Sequence, residues 1–401
     1  MPRRGRVAST SEGLSDRVFS ELVTRARARG GRIHPLHVGD TWREPPAAAR
    51  VEALPGIANP RLYNYAPVQG EPELLDAVQE RLERQGGAPV DREALQIMSG
   101  GTGGLSVVCQ TLLAAGDEVV LPAPFWPLIR GIIHARGAVA VEVPFWSRRG
   151  EPGFDVEEAL ERAVGPRTVA LYLNTPSNPT GMVLSAAEVE AFARVAERHD
   201  LWVISDEAYE ELHYPAPGEA PAPPVWAHPR LRARTVATHT LSKGYAYAGA
   251  RVGFTHGPLA AMRSIRAVQT FQAYCAPRLS QLGAARALRE GGAWLEETRA
   301  LYARAGRAAA HALGLPEPAG GTFLFFDADP WLQPGERDAM PLLERCLDAG
   351  VLLTPGSACG RDYHRWVRLC FTSVPPEELD DALAVLAGVL PRPRSADPSA
   401  Q

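Results

Sequence analysis

Thr240-Leu241-Ser242-Lys243-Gly244-Tyr245-Ala246-Tyr247-Ala248-Gly249-Ala250-Arg251 contains the single lysine of a 401-residue chain. Every other member of its 42 Lys and Arg residues is an arginine. Arginine substitutes for lysine as a surface charge or a salt-bridge partner. It does not substitute as a primary amine that loses its proton, attacks a carbonyl and later carries a proton. Lys243, set between hydroxyl residues and a glycine-containing run, is therefore a candidate covalent residue.

The stretch is flanked by two apolar runs, Arg234 to Thr238 and Arg251 to Thr255, that read as strands. Upstream, short apolar strands alternate with helices. Strands are expected at Ile97-Met98, Glu118 to Leu121, Val139 to Val143, Thr168 to Leu173 and Leu201 to Ser205. Helices are expected at Leu105 to Leu113, Leu128 to Ala135, Glu157 to Val164 and Ala186 to His199. That alternation predicts an α/β fold with a mostly parallel sheet covered on both faces, its functional loops at the carboxyl ends of the strands. Before it come an arm over 1–11, a helix from Ser15 (a possible N-cap) through Val18 and Phe19 to Arg29, and a strand over Ile33 to Val38. Pro215 to Pro229 reads as a surface insertion. After it, a helix from Ser280 to Leu313 breaks at Gly291-Gly292, and three more strands and two helices follow. The expected division is 1–45, an N-terminal segment packing on a small domain; 46–285, a large domain; 286–390, a smaller α/β domain; and 391–401, a disordered tail.

Composition excludes several classes. Hydrophobic content of 45% and charged content of 22% are those of a globular protein. A net charge of −4 gives no electrostatic reason to expect nucleic acid. No apolar run approaches a membrane span, and no apolar core follows the basic Met1 to Arg6 as a secretory signal would require. Five widely spaced cysteines without a Cys-x-x-Cys pair speak for reduced thiols in the cytoplasm and against a metal site.

Four motifs fall at strand ends. Ser99-Gly100-Gly101-Thr102-Gly103-Gly104 precedes a helix and makes a ready anion site, because unpaired N–H groups and the helix dipole meet there. Asn174 to Gly181 contains an Asn178-Pro179 turn that presents a side-chain amide. Ser205-Asp206-Glu207-Ala208-Tyr209 sets a carboxylate after a buried strand, where a cationic partner is needed. Thr240, Ser242 and Arg251 gather two hydroxyls and a guanidinium around Lys243, a phosphate-binding set.

Together these motifs resemble the fold-type I pyridoxal-phosphate enzymes, specifically the class I/II, aspartate aminotransferase-like family, from about Leu36 to Phe371. The resemblance implies that Lys243 forms a Schiff base with pyridoxal 5′-phosphate. It further implies that Asp206 pairs with the ring nitrogen, Asn178 and Tyr209 bond the ring hydroxyl, and Trp126 stacks on the ring. Gly101, Thr102 and Gly103 backbone groups, with Thr240, Ser242 and Arg251, would hold the phosphate. Tyr65 would reach the neighbouring subunit's phosphate in a homodimer with shared active sites. Arg368 would grip the substrate α-carboxylate, with Gly39 and Asn178 beside it. The implied reaction is amino transfer between an L-amino acid and a 2-oxo acid, Asp206 and Tyr209 assisting Lys243. The alternative on the same machinery is a β-lyase or another amino-acid-modifying enzyme. Asp40-Thr41-Trp42, Ala250 and Cys359 depart from the family's usual residues, at positions that bear on substrate shape or packing. Trp42 and Tyr65 hint at a large or aromatic substrate. A regulator using this fold would carry an N-terminal DNA-binding domain, and about 35 residues before Leu36 hold only an arm and one helix.

Overall fold

The computed structural model describes residues 7–12, 14, 21–54, 61–216, 218 and 223–391. The expected Ser15 cap, Val18, Phe19 and the tail after Pro391 lie outside the described residues, as do parts of the arm and of the proline-rich insertion.

Twelve strands are described: β1 His34–Pro35, β2 Leu95–Met98, β3 Glu118–Ala123, β4 Val139–Pro144, β5 Thr168–Asn174, β6 Trp202–Asp206, β7 Thr235–Thr240, β8 Gly253–His256, β9 Phe323–Asp327, β10 Val351–Leu352, β11 Thr354–Pro355 and β12 Trp366–Cys370. The helices are α1 Leu22–Arg29, α2 Pro72–Gly86, α3 Gly100–Leu112, α4 Pro127–His134, α5 Val156–Glu161, α6 Ala186–Arg198, α7 Leu259–Ala273, α8 Arg278–Glu290, α9 Gly292–Leu313, α10 Met340–Ala349 and α11 Pro376–Val389.

Seven strands form one sheet in the order β2-β8-β7-β6-β5-β3-β4, and only β8 runs antiparallel to its neighbours. β3 and β5 are apolar almost throughout, and β7, although it carries threonines and a histidine, is buried along nearly its whole length, as in a sheet covered on both faces. Leu105, Val108, Tyr172, Ile204 and Val236 pack on the face shared with α3 and α7. Phe192, Leu171, Leu173 and Val203 pack on the opposite face, with α6. Helix α6 shows how sequence specifies such a layer. Ser185 caps it reciprocally with Glu188, and Val189, Phe192, Val195 and Ala196 recur at helical spacing on the buried side. Burying a side chain such as Phe192 contributes roughly 1.5–3 kcal/mol.

A three-stranded antiparallel sheet, β11-β12-β9, has its own core of Leu324, Phe326, Leu343, Val367 and Leu369, among α9, α10 and α11. The N-terminal segment joins it, since β1 pairs in parallel with β10 and the Cys370 N–H donates to Leu36 O at 2.8 Å.

Three details differ from the sequence reading. The expected strand over 33–38 is only two residues long, because Pro35 has no N–H to extend a ladder and Leu36 turns to β12. The glycine cluster is not a turn ahead of a helix; α3 begins at Gly100, so those glycines are its first turn. Helix α7 had no counterpart. Its buried Ala261, Met262, Ile265 and Gln269 have helical spacing, but a glutamine and interspersed arginines dilute the apolar stripe.

Among the described residues no helix is long and apolar enough to cross a membrane, and no cluster of side chains could hold a metal ion.

Candidate active site

The parallel strands β2, β3, β5, β6 and β7 end on one edge of the large sheet, and the loops that leave them carry the motifs. They enclose a cavity of about 200 Å³. Of the residues singled out from sequence, Gly39, Gly101, Thr102, Trp126, Asn178, Asp206, Tyr209, Thr240, Ser242, Lys243, Arg251 and Arg368 all line it. Gly103 does not, since it lies one residue further into α3. Tyr65 does not line it either; it is 80% exposed and packs edge-on against Tyr274 at 5.0 Å between ring centroids. Trp42 is also absent from the lining.

One end of the cavity is built for an anion. Helix α3 opens with its N-terminus uncapped by the Ser99 side chain. The Thr240 and Ser242 hydroxyls stand 2.8 Å apart, and the Ser242 N–H donates to Thr240 Oγ1 at 3.2 Å. Arg251, in the left-handed region at φ +53°, donates from Nη1 to Ala248 O at 2.8 Å. Its guanidinium occupies the space that a Cβ at Gly100 would need, and Gly100 itself has φ +74°. Only glycine admits both the backbone turn and the cation there.

The opposite end holds Arg368, which is 2% exposed on β12. Its Nη1 donates to Asn178 Oδ1 at 3.1 Å and its Nη2 to His37 O at 3.0 Å, and it lies over the Phe323 ring at 4.4 Å. The Asn178 amide in turn donates to the Tyr209 hydroxyl at 3.2 Å. Arg368 therefore sits in a fixed orientation that suits bidentate capture of a carboxylate.

Lys243 lies between these ends, and its ammonium donates to Gly39 O. Burial lowers its pKa, and the Arg368 and Arg251 charges lower it further against the opposing pull of Asp40 and Cys370. Gly39 is where it is for a second reason: a Cβ there would run into the Phe323 ring. Asp206 is 5% exposed at the end of β6. Burial lifts its carboxyl to about 6, although hydrogen bonds from Tyr172 and the Ala208 N–H pull the other way. No described cation bonds to it directly. Burial also pushes the Tyr209 hydroxyl pKa up, so it stays protonated.

Sequence reasoning missed several members of the site. Val38, Leu105, Asn174, Ala208, Ala248 and Phe323 complete the lining. Asn174 accepts from the Asn178 N–H at 2.7 Å and donates to Asp206 O at 2.9 Å, tying two motifs together. It opens a motif quoted above, and its place at a strand end was the available signal. Phe323 comes from 80 residues beyond Lys243 and has no local signal.

An amine whose pKa burial lowers, an anion cradle, a buried carboxylate and a fixed arginine around one cavity are the equipment of an enzyme that handles anionic ligands beside an amine. Comparison with known proteins gives that class a family. Residues 36–386 match the family described as Aminotransferase class I and II. The chain is 34% identical over 360 residues to an arginine–pyruvate transaminase of Pseudomonas aeruginosa, covering 87% of this chain and 88% of that one. It is 32% identical over 375 residues to an aspartate/prephenate aminotransferase of Thermus thermophilus, covering 91% and 93%. A solved single mutant of the Thermus thermophilus aspartate aminotransferase superposes with a TM-score of 0.86 at 29% identity, over 97% of this chain and all of that one. The chain belongs to the class I and II aminotransferase family, and it is an enzyme that transfers amino groups.

Proposed function

We propose that the cavity holds pyridoxal 5′-phosphate and that an L-amino acid and a 2-oxo acid exchange an amino group there. One observation carries the reading: the chain's only amine side chain faces the same cavity as a buried carboxylate to which no described cation bonds and an anion cradle whose Arg251 guanidinium fills the space a Cβ at Gly100 would need. Those residues fit the cofactor. Thr240, Ser242, Arg251 and the first N–H groups of α3 would hold its phosphate, Asn178 and Tyr209 its hydroxyl, Asp206 its ring nitrogen, and Lys243 its aldehyde carbon. When bound, it supplies an electron sink for the charge left at the substrate α-carbon.

The chain's own residues do the rest. Arg368 binds the α-carboxylate and orients the amino acid. Asn178, held by Asn174, keeps Arg368 and Tyr209 in register. Lys243 Nζ, whose deprotonation burial favours, takes the α-proton and later returns it. Trp126 and Phe323 wall the site against water. We also read the protein as a homodimer of the cytoplasm. Exposed Tyr63, Tyr65, Phe271 and Tyr274 support a second copy as their cover, and five free thiols support a reducing compartment.

The test is a panel of amino acids added to the holoenzyme. Donors should convert the pyridoxal absorbance to that of the pyridoxamine form and release the matching 2-oxo acid. Steady release of pyruvate and ammonia without that conversion would overturn the reading in favour of a β-lyase.

A further inference from the structure

Tyr172 is buried on β5, two residues before Asn174 and on the same side of the sheet by strand alternation. Its ring packs in the apolar layer beneath α3 with Ile204, Val236 and Cys109. A phenylalanine would fill that layer equally well. The hydroxyl is what a phenylalanine lacks, and it donates to Asp206 Oδ2 at 2.7 Å. The other carboxylate oxygen, Oδ1, accepts from the Ala208 N–H at 3.2 Å. Each oxygen of Asp206 thus has one donor, and the side-chain donor is Tyr172.

We propose that Tyr172 is a positioning residue that keeps Asp206 ionised and fixes its orientation, so that the carboxylate is ready for a protonated ring nitrogen. This rests on the pyridoxal-phosphate reading. A hydrogen bond to the charged form favours that form, and burial opposes it. Burial and the Asp206 charge both push the phenol pKa up, so Tyr172 remains a donor across the working pH range. The other groups that act on Asp206 have separate sources. His239 on β7 and Lys243 favour its charge, while the Glu207 and Tyr209 side chains feel that charge as unfavourable. Cys109 on α3 faces Tyr172, and burial lifts its thiol to about 12, so it brings no charge. The phenol is the direct side-chain contact in this set.

The experiment measures the dissociation constant of pyridoxal 5′-phosphate by equilibrium dialysis from pH 5.5 to 9, with wild type, Tyr172→Phe and Asp206→Asn. Losing a hydrogen bond to a charged group should raise the Asp206 midpoint by about one pH unit or more. Tyr172→Phe should therefore bind roughly threefold more weakly near pH 6.5 and about eightfold more weakly at pH 5.5, and recover the loss by pH 9. Asp206→Asn should bind weakly at every pH. A Tyr172→Phe loss that is equal at all pH values, or no loss, overturns the role of Tyr172. Wild-type affinity in Asp206→Asn overturns the cofactor reading instead. If Tyr172→Phe does not fold, 3,5-difluorotyrosine at position 172 keeps the volume and donates more strongly. Its midpoint should move below that of wild type, and an unmoved midpoint overturns the proposal.

Discussion

Asp206→Asn should make the cofactor-free protein more stable at pH 8 and less stable at pH 4. The carboxyl has a pKa of about 6 when folded, against an ordinary 3.8, with desolvation as the leading cause. Below pH 3.8 it is protonated in both folded and unfolded chains and contributes nothing. Between 3.8 and 6 the folded state holds more protons than the unfolded state, so stability falls as pH rises. Above 6 both are ionised, and the folded state carries the whole penalty. The gap of roughly two pH units, at about 1.4 kcal/mol each, makes that penalty about 3 kcal/mol.

Asparagine removes the titration but disturbs the hydrogen bonds. Its Oδ1 can still accept from the Ala208 N–H, while its Nδ2 meets the Tyr172 hydroxyl, which must find another acceptor. That costs about 1 kcal/mol. The variant should then be about 1 kcal/mol less stable at pH 4 and about 2 kcal/mol more stable at pH 8, with the crossover between. Urea denaturation of both proteins, stripped of cofactor, from pH 4 to 8 reads the difference, and taking it between two proteins cancels the other titrating groups. Saturating pyridoxal phosphate should reverse the order at pH 8, because a ligand stabilises the form that binds it more tightly. A stability difference that does not change with pH would refute the view of Asp206 as a buried carboxylate awaiting a cation.

Two further outcomes follow from the same geometry. Lys243→Arg should keep the local charge and lose turnover by roughly 10³-fold or more, since the guanidinium neither deprotonates nor shuttles a proton; borohydride treatment of wild type should label one peptide, the one holding Lys243, and label none in the variant. Gly100→Ala should fold but bind pyridoxal phosphate at least about tenfold more weakly, because its methyl group displaces the Arg251 guanidinium and an alanine is strained at the φ of +74° that position 100 holds, and dialysis against the free cofactor measures it.

The chemistry was legible where it is local. Asn174 to Gly181, Ser205 to Tyr209 and Thr240 to Arg251 are contiguous runs, each set at the end of a strand whose apolar character is visible from its own residues. The parallel sheet brings those ends to one edge, so a reading of three short segments was enough to assemble most of the cavity. Contacts that cross the chain were not legible from the residues themselves; only the family resemblance set Gly39 and Asn178 beside Arg368. Lys243 donates to Gly39, Arg368 to His37 and Asn178, and the Phe323 ring decides that residue 39 is glycine. Such pairs are separated by more than a hundred residues and set by how the two sheets meet, which no periodicity encodes. Tyr172 shows the boundary between the two cases. In Val169-Ala170-Leu171-Tyr172-Leu173 it looks like one more core side chain, and its burial agrees. Alternation nevertheless places it on the side of Asn174, and pairing of β5 with β6 puts that side next to Asp206. A hydroxyl in an apolar strand, two residues ahead of a motif asparagine, has to satisfy its donor somewhere. The carboxylate on the next strand is the acceptor within reach, so a sheet order alone would have led from the sequence to this contact.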